Sequence, residues 1–151
     1  MRILAVDPGE KNIGIAISDP TGTLARPLTV IEHYNREADA DAILDLAEEH
    51  QAERIIVGQA LDADNQATYQ GRKAARLAGA LGAQGEIPVQ LWDESDSTQV
   101  ARDARIRMGV SREERSGHMD EAAAAVILQS YLDAQNPPLP TADTPPLDSP
   151  R

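Results

Sequence analysis

The strongest constraint on the fold is the way hydrophobic spacing changes along the chain. Three short apolar runs come first, from Ile3 to Asp7, Ile13 to Ser18 and Ala25 to Ile31. Each is separated from the next by a few residues rich in Gly, Pro and Asp. Short strands with such brief connections are typical of an antiparallel meander. We therefore predict three adjacent antiparallel strands at the beginning of the domain.

After these runs the apolar residues recur at helical spacing. A helix is predicted from Arg36 to His50, with Asn35 as its N-cap. The remaining elements alternate between strand and helix: a strand from Arg54 to Gly58, a helix from Ala67 to Leu81, a strand from Ile87 to Trp92, and helices from Ser97 to Met108 and from about His118 to Ala134. Strands joined by helical crossovers are parallel. The prediction is an α/β domain whose five-stranded mixed sheet, with three antiparallel and two parallel strands, is flanked by helices.

Length and composition fit one domain over residues 1–135, followed by a tail. Residues 136–151 contain six of the ten prolines and are predicted to be disordered. Phe is absent and aromatics make up only 3%, so the core must be aliphatic. The absence of Cys excludes disulfides and thiolate metal sites. No secretion signal or membrane-spanning run is evident, so a cytoplasmic protein without a membrane segment is expected.

The formal charge of -11 argues against non-specific binding to nucleic acid, because phosphates are repelled by a negative field. The cations are nevertheless clustered. Five arginines lie between Arg102 and Arg115, and Arg72, Lys73 and Arg76 share one face of a predicted helix. Such a face is either solvated or follows a phosphate backbone. The sequence leaves both interpretations open.

Asp7 ends the first apolar run and is followed by a turn with Gly9 and Gly14 on either side. Asp is disfavoured in strands, and glycines let a phosphate approach the backbone closely. The structural alternative is that Asp7 simply begins a turn, where Asp is common. Lys11, in the same turn, either meets a phosphate or is solvated.

Asp120 lies near the start of the last predicted helix. On a helical wheel it heads a stripe formed by Ala124, Ile127 and Tyr131, which indicates the face that packs on the core. A carboxylate placed there without a partner would be costly. Stabilisation by the helix dipole is the alternative, and it accounts for Glu121 better than for Asp120.

Asp93 and Glu94 form a third acidic site, directly after a predicted strand. The alternative here is a helix N-terminus, because residues 95–98 include several capping residues. Carboxylates from separate elements suit Mg²⁺ or Mn²⁺, and two such ions can promote in-line hydrolysis of a phosphodiester. We therefore predict catalytic and metal-binding roles for Asp7, Asp93, Glu94 and Asp120.

The order and spacing of several segments are similar to those of the YqgF/RuvX family of bacterial proteins. The resemblance covers about Ile3 to Leu132. It is carried by residues 6–16 (VDPGEKNIGIA), 25–28 (ARPL), 55–58 (IIVG), the Asp93-Glu94 pair, and residues 119–124 (MDEAAA) with 127–132 (ILQSYL). The opening segment is moderately specific, and the complete set is much more so.

The resemblance implies an RNase H-like fold related to Holliday-junction resolvases and a nuclease whose metal-binding carboxylates match the four acids above. It implies maturation of the 5′ end of 16S ribosomal RNA, with the precursor of the small ribosomal subunit as a partner; cleavage of branched DNA is the older family proposal. Substrate contacts are expected at the following residues: Gly9, Lys11, Arg26, Arg72, Lys73, Arg76, Thr98 and His118.

The chain departs from the family pattern at four places. Gln59-Ala60 stands where the family has Leu-Pro, and Asp64-Asn65 replaces Asp-Gly. Ser95 replaces the arginine of the Asp-Glu-Arg motif, and His118 replaces a lysine. The missing cations would lie near the substrate phosphate, where they would stabilise charge.

These departures keep a second class open, a non-catalytic nucleic-acid-binding assembly module. An actin-like sugar kinase or ATPase, which shares the first hairpin, needs two duplicated domains, and 151 residues contain only one. RNA or DNA as substrate, and a monomer or a homodimer, both remain open from sequence.

Overall fold

The computed structural model describes residues 1–59, 69–93 and 120–135, without the side chains of residues 69, 70, 120 and 121. Its strands are β1 (Arg2–Pro8), β2 (Asn12–Ser18), β3 (Ala25–Glu32), β4 (Ala52–Gln59) and β5 (Val89–Asp93). Its helices are α1 (Arg36–Glu49), α2 (Tyr69–Gln84) and α3 (Asp120–Gln135). The predicted helix from Ser97 to Met108 and the predicted tail lie outside these ranges.

The five strands form one sheet in the order β3-β2-β1-β4-β5. β1 pairs antiparallel with β2, which pairs antiparallel with β3. β1 also pairs in parallel with β4, and β4 with β5. This arrangement confirms the predicted mixed sheet and places β1 at its centre.

Most element boundaries lie within two residues of the sequence prediction. Asn35 caps α1 as predicted, because its side chain accepts a hydrogen bond from the amide of Ala38 at 2.8 Å. The last strand begins at Val89 rather than Ile87. Pro88 explains the later start, since proline has no amide hydrogen to donate to a neighbouring strand; its carbonyl instead accepts from Ile55 at 2.9 Å.

Each face of the sheet carries its own hydrophobic cluster. Leu4 and Val6 of β1 join residues of α1 and α2 on one face, whereas Ile3 and Ala5 join residues of α3 on the other. This division follows from the alternation of side chains along a strand. Each fully buried Ile or Leu contributes about 1.5–3 kcal/mol from removal of its side chain from water.

Contacts in its C-terminal half fix the direction of α3. The Gln129 side chain accepts from the Ala25 amide at 2.9 Å and donates to the Thr23 carbonyl at 3.0 Å, at the beginning of β3. Arg54, the register partner of Ile3, donates to the Tyr131 hydroxyl at 2.6 Å. This half of α3 therefore lies where β1 begins, and the helix runs antiparallel to β1.

The predicted apolar stripe of the last helix is confirmed. Ala124, Ile127 and Tyr131 are all buried, as is the adjacent Leu128. No helix in the described ranges combines the length and apolar character needed to cross a membrane.

Candidate active site

Asp7 lies near the carboxyl end of the central strand, opposite Gly14 of β2. It is half-buried. Because Ile3 and Ala5 project into the cluster beneath α3, alternation directs Asp7 to that same face. The partner Gly14 has no side chain to pack over the carboxylate.

The turn that follows Asp7 is closed by the amide of Gly9, which donates to the Asn12 carbonyl at 2.9 Å. A Cβ on Gly9 would lie 2.4 Å from that carbonyl oxygen. The turn therefore requires glycine for its own geometry. Lys11 is exposed at the tip, where its carbonyl accepts from the His33 amide at 2.9 Å.

The first turn of α3 lies at the Asp7 end of the sheet. From Tyr131 back to Asp120 the helix extends about 16 Å, at ~1.5 Å per residue. From Ile3 to Asp7 the strand extends about 13 Å, at ~3.3 Å per residue. Since the two elements are antiparallel and Tyr131 contacts Arg54, the register partner of Ile3, α3 begins towards the Asp7 end of β1. Ala124, one helical turn later, is fully buried on the sheet.

Asp93 is the last residue of β5 and pairs with Gln59. Its neighbour Trp92 packs in the cluster beneath α3, so alternation directs Asp93 to the opposite face from Asp7. The structure thus brings Asp93 to the same edge of the sheet but not to the same side. Glu94, Thr98 and His118 lie outside the described residues.

Trp92 packs against Tyr131, with ring centroids 5.2 Å apart and planes at 79°. Its Nε1 donates to the Ser130 hydroxyl at 3.3 Å. These contacts make Trp92 a packing residue that ties β5 to α3.

No group of three or more acidic or histidine side chains within residues 1–59, 69–93 and 120–135 is arranged to hold a metal ion. Of the four predicted ligands, the side chains of Asp7 and Asp93 fall within those ranges.

The predicted substrate-binding cations separate into two groups. Lys73 and Arg76 line a cavity together with Gly9, and Arg72 is exposed on the same helix. Arg26 pairs with Ile17, at the level of Leu4, which places it at the opposite end of the sheet from Asp7. Ile17 faces the α1 and α2 cluster, so Arg26 is directed away from α3 as well.

Sequence reasoning did not identify Asp39, which is 4% exposed. Its carboxylate is paired with Nδ1 of His33 and accepts from the Tyr34 amide at 3.0 Å. The signal available in the sequence was its position beside Ala40 and Ile43 on the buried side of α1.

A mixed sheet of this strand order, covered by helices on both faces, is the RNase H-like fold. Two solved structures have the same fold. RuvC of T. thermophilus in complex with a Holliday junction substrate superposes with a TM-score of 0.55 at 18% identity, covering 89% of this chain and 95% of that one. The fowlpox virus resolvase in complex with Holliday junction DNA gives 0.52 at 13%, covering 90% and 99%.

The chain belongs to the RuvX family, whose model, described as Holliday junction resolvase, matches residues 1–134. Two relatives named as candidate pre-16S rRNA nucleases are similar over nearly the whole domain. The protein of Desulforamulus reducens is 38% identical over 134 residues, covering 89% of this chain and 98% of its own. That of Syntrophus aciditrophicus is 40% identical over 134 residues, covering 89% of each.

Proposed function

We propose that this protein is a metal-dependent nuclease that hydrolyses a phosphodiester bond during maturation of the 5′ end of pre-16S rRNA. The supporting observation is that the first turn of α3, which carries Asp120, reaches the end of β1 that carries Asp7. In this arrangement the two acids, 113 positions apart in sequence, would share one end of the sheet. The names of the relatives point to the same substrate.

The donor set fits a hard divalent cation. Carboxylate oxygens are the preferred ligands of Mg²⁺ and Mn²⁺, which commonly bind one or two protein carboxylates together with substrate phosphates. When bound, such ions activate a water molecule and stabilise the leaving oxygen. Asp7 and Asp120 would hold them on the α3 face.

Glu94 is the better candidate for the third ligand from the Asp93-Glu94 pair. Asp93 is directed to the face opposite Asp7, as is Val89, which packs on the α1 and α2 cluster. We therefore assign metal binding to Glu94 and leave Asp93 a positioning role at the end of β5.

Three other predicted contacts, Lys11, Thr98 and His118, would act on the substrate. Lys11 at the exposed turn would bind a phosphate as a point charge. Thr98 and His118 would provide hydrogen bonds where the family pattern has stronger cations nearby, so turnover slower than that of relatives with the arginine and lysine is expected. With this substrate, the protein would act in the cytoplasm. It would bind the precursor of the small ribosomal subunit.

The test is cleavage of an RNA that carries the 5′ extension of pre-16S rRNA, with and without Mg²⁺ or Mn²⁺. We expect metal-dependent cleavage that is lost in Asp7→Asn and retained in Asp45→Asn, a matched loss of an exposed carboxylate on α1. A four-way DNA junction, the substrate suggested by the family model's description, is assayed in parallel. Preferential cleavage of the junction would replace the RNA assignment.

Binding of either nucleic acid without cleavage at any metal concentration would instead favour the assembly module. Cleavage that is unchanged in Asp7→Asn would mean that the activity comes from another site.

A further inference from the structure

A cavity of about 250 Å³ lies beside the Asp7 turn, on the other face of the sheet. Gly9 forms part of its wall, Arg36 enters from the start of α1, and Lys73 and Arg76 enter from α2. The cavity is therefore lined by cations from two helices and by the turn that follows the proposed catalytic aspartate. The two helices are distant from each other in sequence.

The charge of this cavity is opposite to that of the whole chain. Arg36, Lys73 and Arg76 line it together with His33, and Asp39 is the single acid among the lining residues. Asp39 is already engaged by His33 and by the Tyr34 amide. In a chain with a formal charge of -11, the lining of this cavity carries three cations and one acid.

Arg36 is placed where a cation is disfavoured. It is the first residue of α1, and the amino end of a helix carries partial positive charge that attracts anions and repels cations. Within the described ranges neither Arg36 nor Arg76 forms an ion pair with a carboxylate. An anion in the cavity would neutralise both guanidinium groups and the helix terminus together.

The cavity is close to the site of proposed cleavage. Pro8, which lines it, follows Asp7 directly, and the two side chains project to opposite faces of the sheet. Consecutive Cα atoms are about 3.8 Å apart, so a nucleic-acid strand that crosses this edge would meet both sites. A volume of about 250 Å³ is below the range of roughly 300–1,000 Å³ typical of pockets for drug-sized ligands, and it suits a single phosphate with part of its sugar.

We propose that this cavity binds a phosphate of the substrate strand that neighbours the scissile phosphate, and so positions the strand across the sheet edge. The identity of this ligand rests on the proposed nuclease function. Binding, however, is measurable without cleavage.

The experiment measures binding of inorganic phosphate and of a single-stranded RNA oligonucleotide to the full chain in EDTA, where metal-dependent cleavage cannot occur. Phosphate should shift the backbone amide NMR signals of Gly9 and Arg36. The double variant Arg36→Gln, Arg76→Gln should bind the oligonucleotide roughly tenfold more weakly. Its plot of log affinity against log salt should be shallower by about 0.7, because the variant neutralises one phosphate fewer.

Two controls separate charge from position and from folding. Arg2→Gln makes the same type of charge change at the opposite end of β1 and should retain binding. Arg36→Lys with Arg76→Lys keeps both charges and should retain most of the phosphate-induced shift, which a folding defect would not allow.

Three outcomes would overturn the proposal. Phosphate could fail to shift the Gly9 and Arg36 signals, or the two double variants could bind the oligonucleotide equally. Phosphate could also bind the cavity while the oligonucleotide leaves it unaffected, which would assign the cavity to free phosphate or a mononucleotide instead of the strand. The nuclease assignment is tested separately, because loss of cleavage in Asp7→Asn does not depend on this cavity.

Discussion

The Arg54 guanidinium donates a 2.6 Å hydrogen bond to the hydroxyl of Tyr131, 77 positions away in sequence. Arg54 lies near the beginning of β4, and Tyr131 lies buried in the C-terminal half of α3. The Tyr131 hydroxyl is also 3.4 Å from the Gln90 side-chain oxygen, so one phenol links three elements. This contact holds α3 along the strand at the position from which its first turn reaches Asp7.

Removing that hydroxyl should weaken the attachment of α3 without opening a large cavity. For Tyr131→Phe we expect a decrease of about 1–3 kcal/mol in the free energy of unfolding, because the variant cannot form the partly buried hydrogen bond to a charged group. Urea denaturation at pH 7 measures it. Tyr34→Phe is the matched control, since Tyr34 is 74% exposed and should leave stability unchanged. Equal stability of all three proteins would show that the Arg54 contact contributes nothing to folding.

The turn after Asp7 should be intolerant of any side chain at position 9. In Gly9→Ala the new Cβ would lie 2.4 Å from the Asn12 carbonyl oxygen, which is backbone and cannot move aside cheaply. We expect destabilisation by about 1–3 kcal/mol, as is typical of overpacking, together with reduced cleavage because Asp7 shifts with the turn.

Gly79→Ala should have the opposite effect on stability. No atom lies within 4 Å of a Cβ at this position in α2, so alanine should stabilise the helix by about 0.4–1 kcal/mol. Thermal melting of the two variants side by side distinguishes a position-specific clash from a general effect of alanine. A stabilised Gly9→Ala would contradict the turn geometry.

The two acids at the end of β5 should differ in their effect on metal affinity. Because Asp93 is directed away from the Asp7 face, Asp93→Asn should change Mn²⁺ affinity little, whereas Glu94→Gln should weaken it by roughly tenfold or more. Isothermal titration with Mn²⁺ gives both values, and near-native circular dichroism spectra exclude unfolding. A larger decrease for Asp93→Asn would reverse the assignment of the ligand.

Asp19 should make stability depend on pH in the acid range. The Thr21 hydroxyl, followed by the amides of Leu24 and Thr23, donates to its carboxylate and holds its pKa well below the ordinary value of 3.8. The ionised form therefore favours the folded state above pH ~4, and this contribution is lost as pH falls through the lower pKa of the folded state.

The stability difference between the unsubstituted protein and Asp19→Asn should accordingly be constant above about pH 5 and shrink towards pH 2. Urea midpoints at pH 7, 5, 3 and 2 measure that difference. Thr21→Val, which removes the first of the donors, should reduce it at neutral pH. A difference that stays the same at every pH would exclude the carboxylate as its source.

Local signals in the sequence were sufficient for most of the fold. The capping by Asn35, the meander of β1 to β3 and the stripe through Ala124 and Tyr131 depend on spacing within one element or between neighbours, and all three were predicted. The position of Arg26 relative to Asp7 was harder to predict from the sequence. It follows from the direction of β3, which begins at the edge where β1 begins and so carries Arg26 away from Asp7.

The parts of the candidate site that sequence did not predict come from long-range packing. Arg36 was interpreted only as the start of a helix, yet α1 and α2 pack side by side and bring it to the same cavity as Arg76. The face reached by Asp93 follows from the packing of Trp92 against Tyr131, which turns Trp92 towards α3 and Asp93 away from it. Periodicity within β5 does not determine which of its faces meets α3.

The packing of α3 against β1 has a consequence for synthesis of the protein. Asp7 emerges from the ribosome early, whereas the helix that carries Asp120 emerges more than a hundred residues later. A growing chain can form the cluster between the sheet and the first two helices while its proposed metal ligands are still incomplete. Cleavage at the proposed site would then require translation of nearly the whole domain.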